Sequence, residues 1–431
     1  MNILILGSGG REHAFAWKLK QSPNCEKLFV APGNAGTADI AVNINLSLDD
    51  FEAIGNFCLE SNIDLLLVGP EIPLINGVAD YFKSNEELKR IAVIGPEKSG
   101  AILEGSKDFS KAFMKRHGIP TASSETFTKE TFSAGVEYLK NHTLPIVLKA
   151  DGPAAGKGVI IAESHDEAIK TLDDMLNHSQ FGESGSKVVV EQFLKGIEVS
   201  VFVITDGKSY KILPEAKDYK RIGEQDTGLN TGGMGAVSPV NFANEEFMQK
   251  VESRIIQPTV EGLKKEGINY VGFIFFGLIK VDGEPYVIEY NCRMGDPETE
   301  AVIPRIKSDF VNLLEATADQ ELENYNLEVD ERPAVTVMMV SGGYPGAFEK
   351  EKRINGLQGV KKGISFHAGT KYKDDGTVVT NGGRVISFTA FGETVAGALE
   401  NAYSEVSKIT WENVYYRKDI GQDLLSLENS H

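Results

Sequence analysis

Residues 287–300 read VIEYNCRMGDPETE, a strand that runs into a turn. Side chains two apart on a strand share a face. Glu289 and Asn291 therefore project together, with Arg293 next on that side if the strand continues. The face carries a carboxylate, an amide oxygen and a guanidinium. Hard oxygens suit Mg²⁺, which takes one or two protein ligands and leaves its other positions to phosphates and water. A guanidinium beside them can meet a phosphate or carboxylate bidentately. The Met-Gly-Asp-Pro turn adds two carboxylates, Asp296 and Glu298. Alone, such a stretch serves equally as an edge strand with a solvated face. The segments upstream decide between the two.

The chain has 431 residues, 41% hydrophobic and 25% charged, the composition of a globular protein of about three domains. A net charge of −18 argues against a nucleic-acid surface but leaves room for a local basic pocket. Cys25, Cys58 and Cys292 match neither a disulfide framework nor a zinc site. No apolar run reaches membrane length, and NILIL is too short for a signal segment. A cytoplasmic location with no membrane partner is expected.

Residues 1–104 alternate strands (Asn2–Leu6, Leu28–Ala31, Asp64–Val68, Ile91–Ile94) with helices (Glu12–Lys20 and one from Asp49 to Leu59), a Rossmann-like, doubly wound α/β pattern. Ligands of such sheets sit at the carboxyl ends of the strands. The first of those ends is Gly7-Ser8-Gly9-Gly10-Arg11-Glu12. It invites a dinucleotide reading, and hence an oxidoreductase. However, the third glycine of that fingerprint is replaced by Glu12, and no acid follows the second strand. The turn can still hold one phosphate on backbone N–H groups, helped by Arg11.

Lys107 opens a helix, where its charge opposes the dipole, a hint that it meets an anion. Residues 126–187 read as a small lobe. In it Asp151–Lys157 (DGPAAGK) joins two strands as a loop able to close over phosphates. Lys149 lies within the apolar strand Pro145–Ala150. It either meets an anion there or, on an edge strand, snorkels to water. Ser164–Glu167 reads as a capping box. Residues 188–200 read strand, connection, strand. A linker of this kind can meet the adenine edge with backbone groups, with Glu191 and Glu198 at its flanks. Four glycines within Gly228–Gly235 predict an irregular loop. The polar stretch Asp319–Arg332 reads as a linker to a small α+β C-terminal domain. Its Gly-rich turns, Ser341–Gly346 and Thr380–Arg384, are able to face the first domain.

The motifs GSGGREHA, APGNAGT, LEGSKDF, KADGPAAGKGV, VEQFLKGIEVS, DTGLNTGGMGA, IEYNCRMGDPET and TNGGRV together resemble the glycinamide ribonucleotide synthetase family of the ATP-grasp superfamily. The resemblance spans essentially the whole chain. It implies an α/β and α+β multidomain fold: a Rossmann-like domain at 1–104, a two-lobed ATP-grasp core at 105–328 and a C-terminal domain at 331–431. It implies ATP-dependent ligation of glycine to 5-phosphoribosylamine by a monomer. ATP would bind through Lys107, Lys149, Gly156, Lys157, Gly158, Glu191, Gln192, Phe193, Leu194 and Glu198. Mg²⁺ or Mn²⁺ would bind through Glu289 and Asn291. The amine substrate would bind through Gly9, Gly10, Arg11, Asp296, Asn381, Gly382 and Arg384. Arg293, Lys149 and Asp218 would act in catalysis. Pro153 stands where the family has Leu. Ala216–Arg221 replaces a Ser-Gln-Asp-His-Lys-Arg run. Phe273–Lys280 offers no extra metal-binding acid. The competing readings are another ATP-grasp carboxylate–amine ligase, a dinucleotide-dependent oxidoreductase and a non-catalytic ATP-binding regulator.

Overall fold

A computed structural model describes residues 1–152, 158–178 and 185–428. The first apolar runs form a parallel five-stranded sheet. Its order is Val42–Asn43, Lys27–Pro32, Asn2–Gly7, Leu65–Val68 and Ala92–Ile94. Ile3 to Leu6 are fully buried, as a central strand covered on both faces requires. Leu4 and Leu6 join one core, Ile3 and Ile5 the other. The first helix starts at Gly10, two residues before the expected Glu12, and Asp50 caps helix Phe51–Glu60. The pair Val42–Asn43 was not foreseen, being too short to carry a period.

The small lobe is an antiparallel sheet ordered Ser124–Thr128, Lys187–Gln192, Ile146–Ala150, Val159–Ala162. Helices Phe132–Lys140 and His165–Leu176 cover it with a separate apolar core. Half of the expected capping box forms: Ser164 Oγ accepts the Glu167 N–H, while the Glu167 carboxylate takes the N–H of Glu163.

The large sheet has eight strands. In order they are Glu284–Asn291, Gly272–Val281, Ile197–Thr205, Tyr210–Asp218, Gly235–Ser238, Ala334–Val340, Arg384–Phe391 and Ile364–His367. Gly235–Ser238 pairs antiparallel with Ala334–Val340, so one hydrogen-bonded sheet runs from the core into the C-terminal part. This corrects the loop reading of the glycine-rich run. Its end is a sheet strand, and Thr227–Asn230 forms a hairpin with Arg221–Gly223. Gly228 and Gly233 do adopt positive φ. Among the described residues no helix is long and apolar enough to cross a membrane.

Candidate active site

Strand Glu284–Asn291 lines the cleft between the small lobe and the large sheet. Gly277 pairs with Glu289 and Leu278 with Val287, leaving Ile288 as an extra residue, a β-bulge. Strict alternation would put Val287 on the face of Glu289. The bulge lets Val287 and Tyr290 both enter the core while Glu289 and Asn291 face the cleft together. Glu289 accepts no hydrogen bond from a described residue. Asn291 is buried, and its Nδ2 has no partner among the described residues. Side-chain amide N and O exchange by a half-turn, so Asn291 can present its oxygen beside the Glu289 carboxylate. This donor set fits a hard divalent cation. The neighbouring strand places Gly277, not an acid, against Glu289.

Three lysines converge opposite this pair. Lys149 lies on a strand paired on both sides, which rules out the edge-strand alternative. Only 5% exposed, it meets Glu191 at 3.1 Å and the Ile288 carbonyl at 3.4 Å. Lys111, absent from the sequence reading, meets the same Glu191 Oε2 at 3.0 Å. Its only sequence signal is the i,i+4 spacing from Lys107, one helix face. Burial pulls the Lys111 ammonium down to about 8 against the attraction of Glu191. Glu191 stays below the usual carboxylate range, despite burial, because Lys149 and Lys111 flank it. Glu191 Oε2 is thus engaged with both lysines, while its buried Oε1 has no hydrogen-bond partner among the described residues.

Lys107 Nζ donates to the carbonyls of Asp151 and Gly152 at 3.4 and 3.3 Å, and burial lowers its pKa. The Asp151 carboxylate accepts from Ser106 Oγ at 3.0 Å and from the Asp108 N–H at 2.8 Å, fixing the root of the glycine-rich loop to this helix start. Gly158 closes the loop, its carbonyl accepting the Ala150 N–H at 2.8 Å. Gly156 and Lys157 lie outside the described residues. Gln192 ends its strand, and Phe193 and Leu194 follow outside the ladder. On the far wall Lys220 meets Glu198 at 3.0 Å. Asp218, in front of it, raises the Lys220 ammonium well above its ordinary value. Burial raises Asp218 itself, with Lys220 opposing.

Beyond Asn291 the strand ends, and Arg293 leaves the face of Glu289. Its Nη2 meets Glu104 at 2.9 Å and its Nε meets Glu71 at 3.3 Å. The expectation that Arg293 faces the metal pair is corrected by these acids, 189 and 222 residues upstream. Arg293 and Arg11 both donate to the Met294 carbonyl, at 3.3 and 3.1 Å. Asp296 then joins three parts of the chain. Its Oδ2 accepts the Arg11 N–H at 3.2 Å, and its Oδ1 lies 2.9 Å from Arg384 Nη2. Arg384 and Arg11 hold Asp296 below the usual range although burial opposes them. Gly9 and Gly10 are needed here: a Cβ on Gly9 would lie 2.8 Å from Asp296 Oδ2, and one on Gly10 would strike the Glu300 carboxylate. Glu12 accepts the Gly9 N–H at 2.6 Å and fills the space above Gly7 and Gly69, where a dinucleotide fingerprint keeps room. The turns of the C-terminal part are stitched together, Ser341 Oγ donating to the Gly382 carbonyl at 2.8 Å. Asn381 is exposed on the same turn as Arg384.

A two-lobed cleft with lysines on one lobe and a Glu–Asn pair on the other is the layout of an ATP-grasp ligase. Comparisons with known proteins agree with that class. The chain matches the phosphoribosylglycinamide synthetase N domain over residues 1–104, its ATP-grasp (A) domain over 105–299 and its C domain over 334–423. It is 46% identical over 435 residues to the phosphoribosylamine–glycine ligase of Escherichia coli K12, covering 100% of both chains. It is 46% identical over 426 residues to that of Yersinia pestis, covering 98% of each. A crystal structure of phosphoribosylamine–glycine ligase from Thermotoga maritima superposes with a TM-score of 0.84 at 36% identity, covering 97% of this chain and 100% of that one. A biotin carboxylase from Campylobacter jejuni shares the fold alone, with a TM-score of 0.71 at 15% identity over 97% of this chain and 93% of that one. The chain belongs to the phosphoribosylglycinamide synthetase family.

Proposed function

We propose that the protein joins glycine to 5-phosphoribosylamine at the expense of ATP, giving glycinamide ribonucleotide, ADP and phosphate in purine biosynthesis. The observation that carries this reading is the match to phosphoribosylamine–glycine ligases along the entire chain. A carboxylate is a poor electrophile because oxide is a poor leaving group. Moving the γ-phosphoryl of ATP onto glycine makes an acyl phosphate, which the amine then opens with loss of phosphate. Phosphoryl transfer needs positioning and charge neutralisation above all. Lys107 and Lys149 supply fixed cations at the phosphate end of the cleft. Lys111 balances Glu191, so that one of the buried ammoniums stays free to turn toward a phosphate. Phe193 and Leu194 offer backbone groups to adenine, with Glu198 toward the ribose.

Glu289 and Asn291 would hold Mg²⁺ or Mn²⁺, which neutralises phosphate charge when bound. Arg293, clamped by Glu104 and Glu71, keeps guanidinium N–H groups for a carboxylate or phosphoryl oxygen. Gly9, Gly10, Arg11, Asp296, Asn381, Gly382 and Arg384 form the site for the amine substrate. The loop expected to close over the phosphates runs through residues 153–157, which lie outside the described residues. Three cysteines without disulfides and a net charge of −18 suit a monomer in the reducing cytoplasm.

Offering alternative carboxylates and amines in competition tests this reading. Glycine and phosphoribosylamine should outcompete the others. Preference for another pair would make the protein a different carboxylate–amine ligase. NAD(P)H binding without ATP turnover would favour the oxidoreductase, and ATP binding without turnover the regulator.

A further inference from the structure

Helix Glu298–Val302 sits at the centre of the molecule, packed between helix Gly10–Leu19 and strands Tyr210–Asp218, Gly235–Ser238 and Ala334–Val340. Its first side chain, Glu298, is only 4% exposed. No described residue other than Glu298 itself, through its backbone N–H, hydrogen-bonds that carboxylate. The space beside it is kept by Gly295, whose Cβ would lie 2.8 Å from Glu298 Oε1. Asp218 ends strand Tyr210–Asp218, which packs against this helix, and its charge acts on Glu298. The charged groups around the pair are Lys220, Lys217 and Glu198 beside Asp218, Arg293 and Arg384 on the turns, and Asp296 and Glu300 on the same segment as Glu298. Arg11 stands on the helix packed against them. Most of the cations are already spoken for. Arg293 is held by Glu104 and Glu71, Arg384 by Asp296, Lys217 by Asp423, and Lys220 is shared between Glu198 and Asp218. Two carboxylates therefore share a buried spot with too little positive charge, which suits the arrival of a cationic amine.

We propose that Glu298, paired with Asp218, receives the acceptor amine as its ammonium and takes a proton from it, freeing the nitrogen lone pair to attack the acyl phosphate. This rests on the ligase reading above. As the amine nitrogen forms the C–N bond, the C–O bond to phosphate breaks. Phosphate leaves with that electron pair and carries away the second proton that the nitrogen sheds on becoming an amide, the first having passed to a Glu298 oxygen. Burial and Asp218 hold the Glu298 carboxyl up at about 8, close to working pH, where a base is most effective.

The test uses the full-length enzyme with Mg-ATP and glycine, once wild type has shown amine-dependent ADP release. Failure at that first step would count against the ligase reading rather than against Glu298. In Glu298→Gln, turnover with phosphoribosylamine should fall by about 100-fold or more, the usual share of a general base. Turnover with hydroxylamine, which reaches the site unprotonated, should stay within a fewfold of wild type. The alkaline rise of kcat/KM for phosphoribosylamine should disappear. Equal losses with both amines, unchanged turnover, or a raised KM for glycine alone would overturn the proposal. If Glu298→Gln no longer binds ATP, Glu298→Asp takes its place. A displaced alkaline rise is then expected, and an unmoved one overturns the proposal.

Discussion

Glu191 stands between the ammoniums of Lys111 and Lys149, each of the three side chains almost fully withdrawn from water. Removing the shared anion from such a cluster leaves two buried cations unpaired. Glu191→Gln should therefore destabilise the small lobe by about 3 kcal/mol and weaken ATP binding. Urea unfolding and nucleotide titration measure both, and a loss under about 1 kcal/mol would show that water reaches the lysines. Glu289 makes the opposite case, a carboxylate facing the cleft with no described residue bonded to it. Glu289→Gln should raise the metal concentration needed for turnover by at least about tenfold, the lower bound for even an outer-shell group, with adenine binding little changed. Unaltered turnover at limiting metal would remove Glu289 from the metal site. The Glu289–Asn291 pairing was legible because strand alternation is local. The partners of Arg293 were not, because Glu71 and Glu104 approach only through tertiary packing, and a sequence window cannot show which distant acids meet a guanidinium.

Strand boundaries came out within a residue or two wherever apolar runs were long, as at Asn2–Gly7 and Ala334–Val340. Short elements were hidden. Gly235–Ser238 has no period of its own and is a strand because both neighbours supply ladder partners. The bulge at Ile288 was also invisible, since one extra residue leaves the composition of a strand unchanged. Its effect can be checked through the glycine it faces. A Cβ on Gly277 would sit 3.1 Å from Glu289 Cγ, so Gly277→Ala should displace the carboxylate. The expected result is weaker metal activation at a stability cost of about 1–3 kcal/mol, read by metal titration and thermal melting. Metal activation equal to wild type would mean that the strand absorbs the methyl without moving Glu289.

At the scale of the molecule, N-terminal sheet, core and C-terminal strands meet on the Met294–Glu300 segment and at a buried histidine pair. The His367 N–H donates to His13 Nδ1 at 2.8 Å, and Asn34 Nδ2 donates to the His367 carbonyl at 2.7 Å. Burial lowers His13 from 6.5 to about 3 and His367 from 6.5 to about 4. The unfolded chain therefore takes up protons first as pH falls. Stability is complete above pH 6.5 and is lost as pH falls from 6.5 to about 4 for His367 and to about 3 for His13, by about 1.4 kcal/mol per pH unit for each. His13→Asn, whose Oδ1 can accept the same bond, should flatten this limb in denaturation followed against pH. A limb as steep as wild type would place the acid sensitivity in the carboxylates. The family and the order of its parts were legible in the motifs. That the C-terminal strands extend the core sheet was not, because strands nearly a hundred residues apart in sequence pair only in the folded chain.

The most direct measurement is ADP release from Mg-ATP with glycine, with and without freshly generated 5-phosphoribosylamine. Release that requires both substrates, matched by one glycinamide ribonucleotide per ADP, is the expected result. Folded protein that binds ATP but releases no ADP with both substrates present would contradict the ligase assignment.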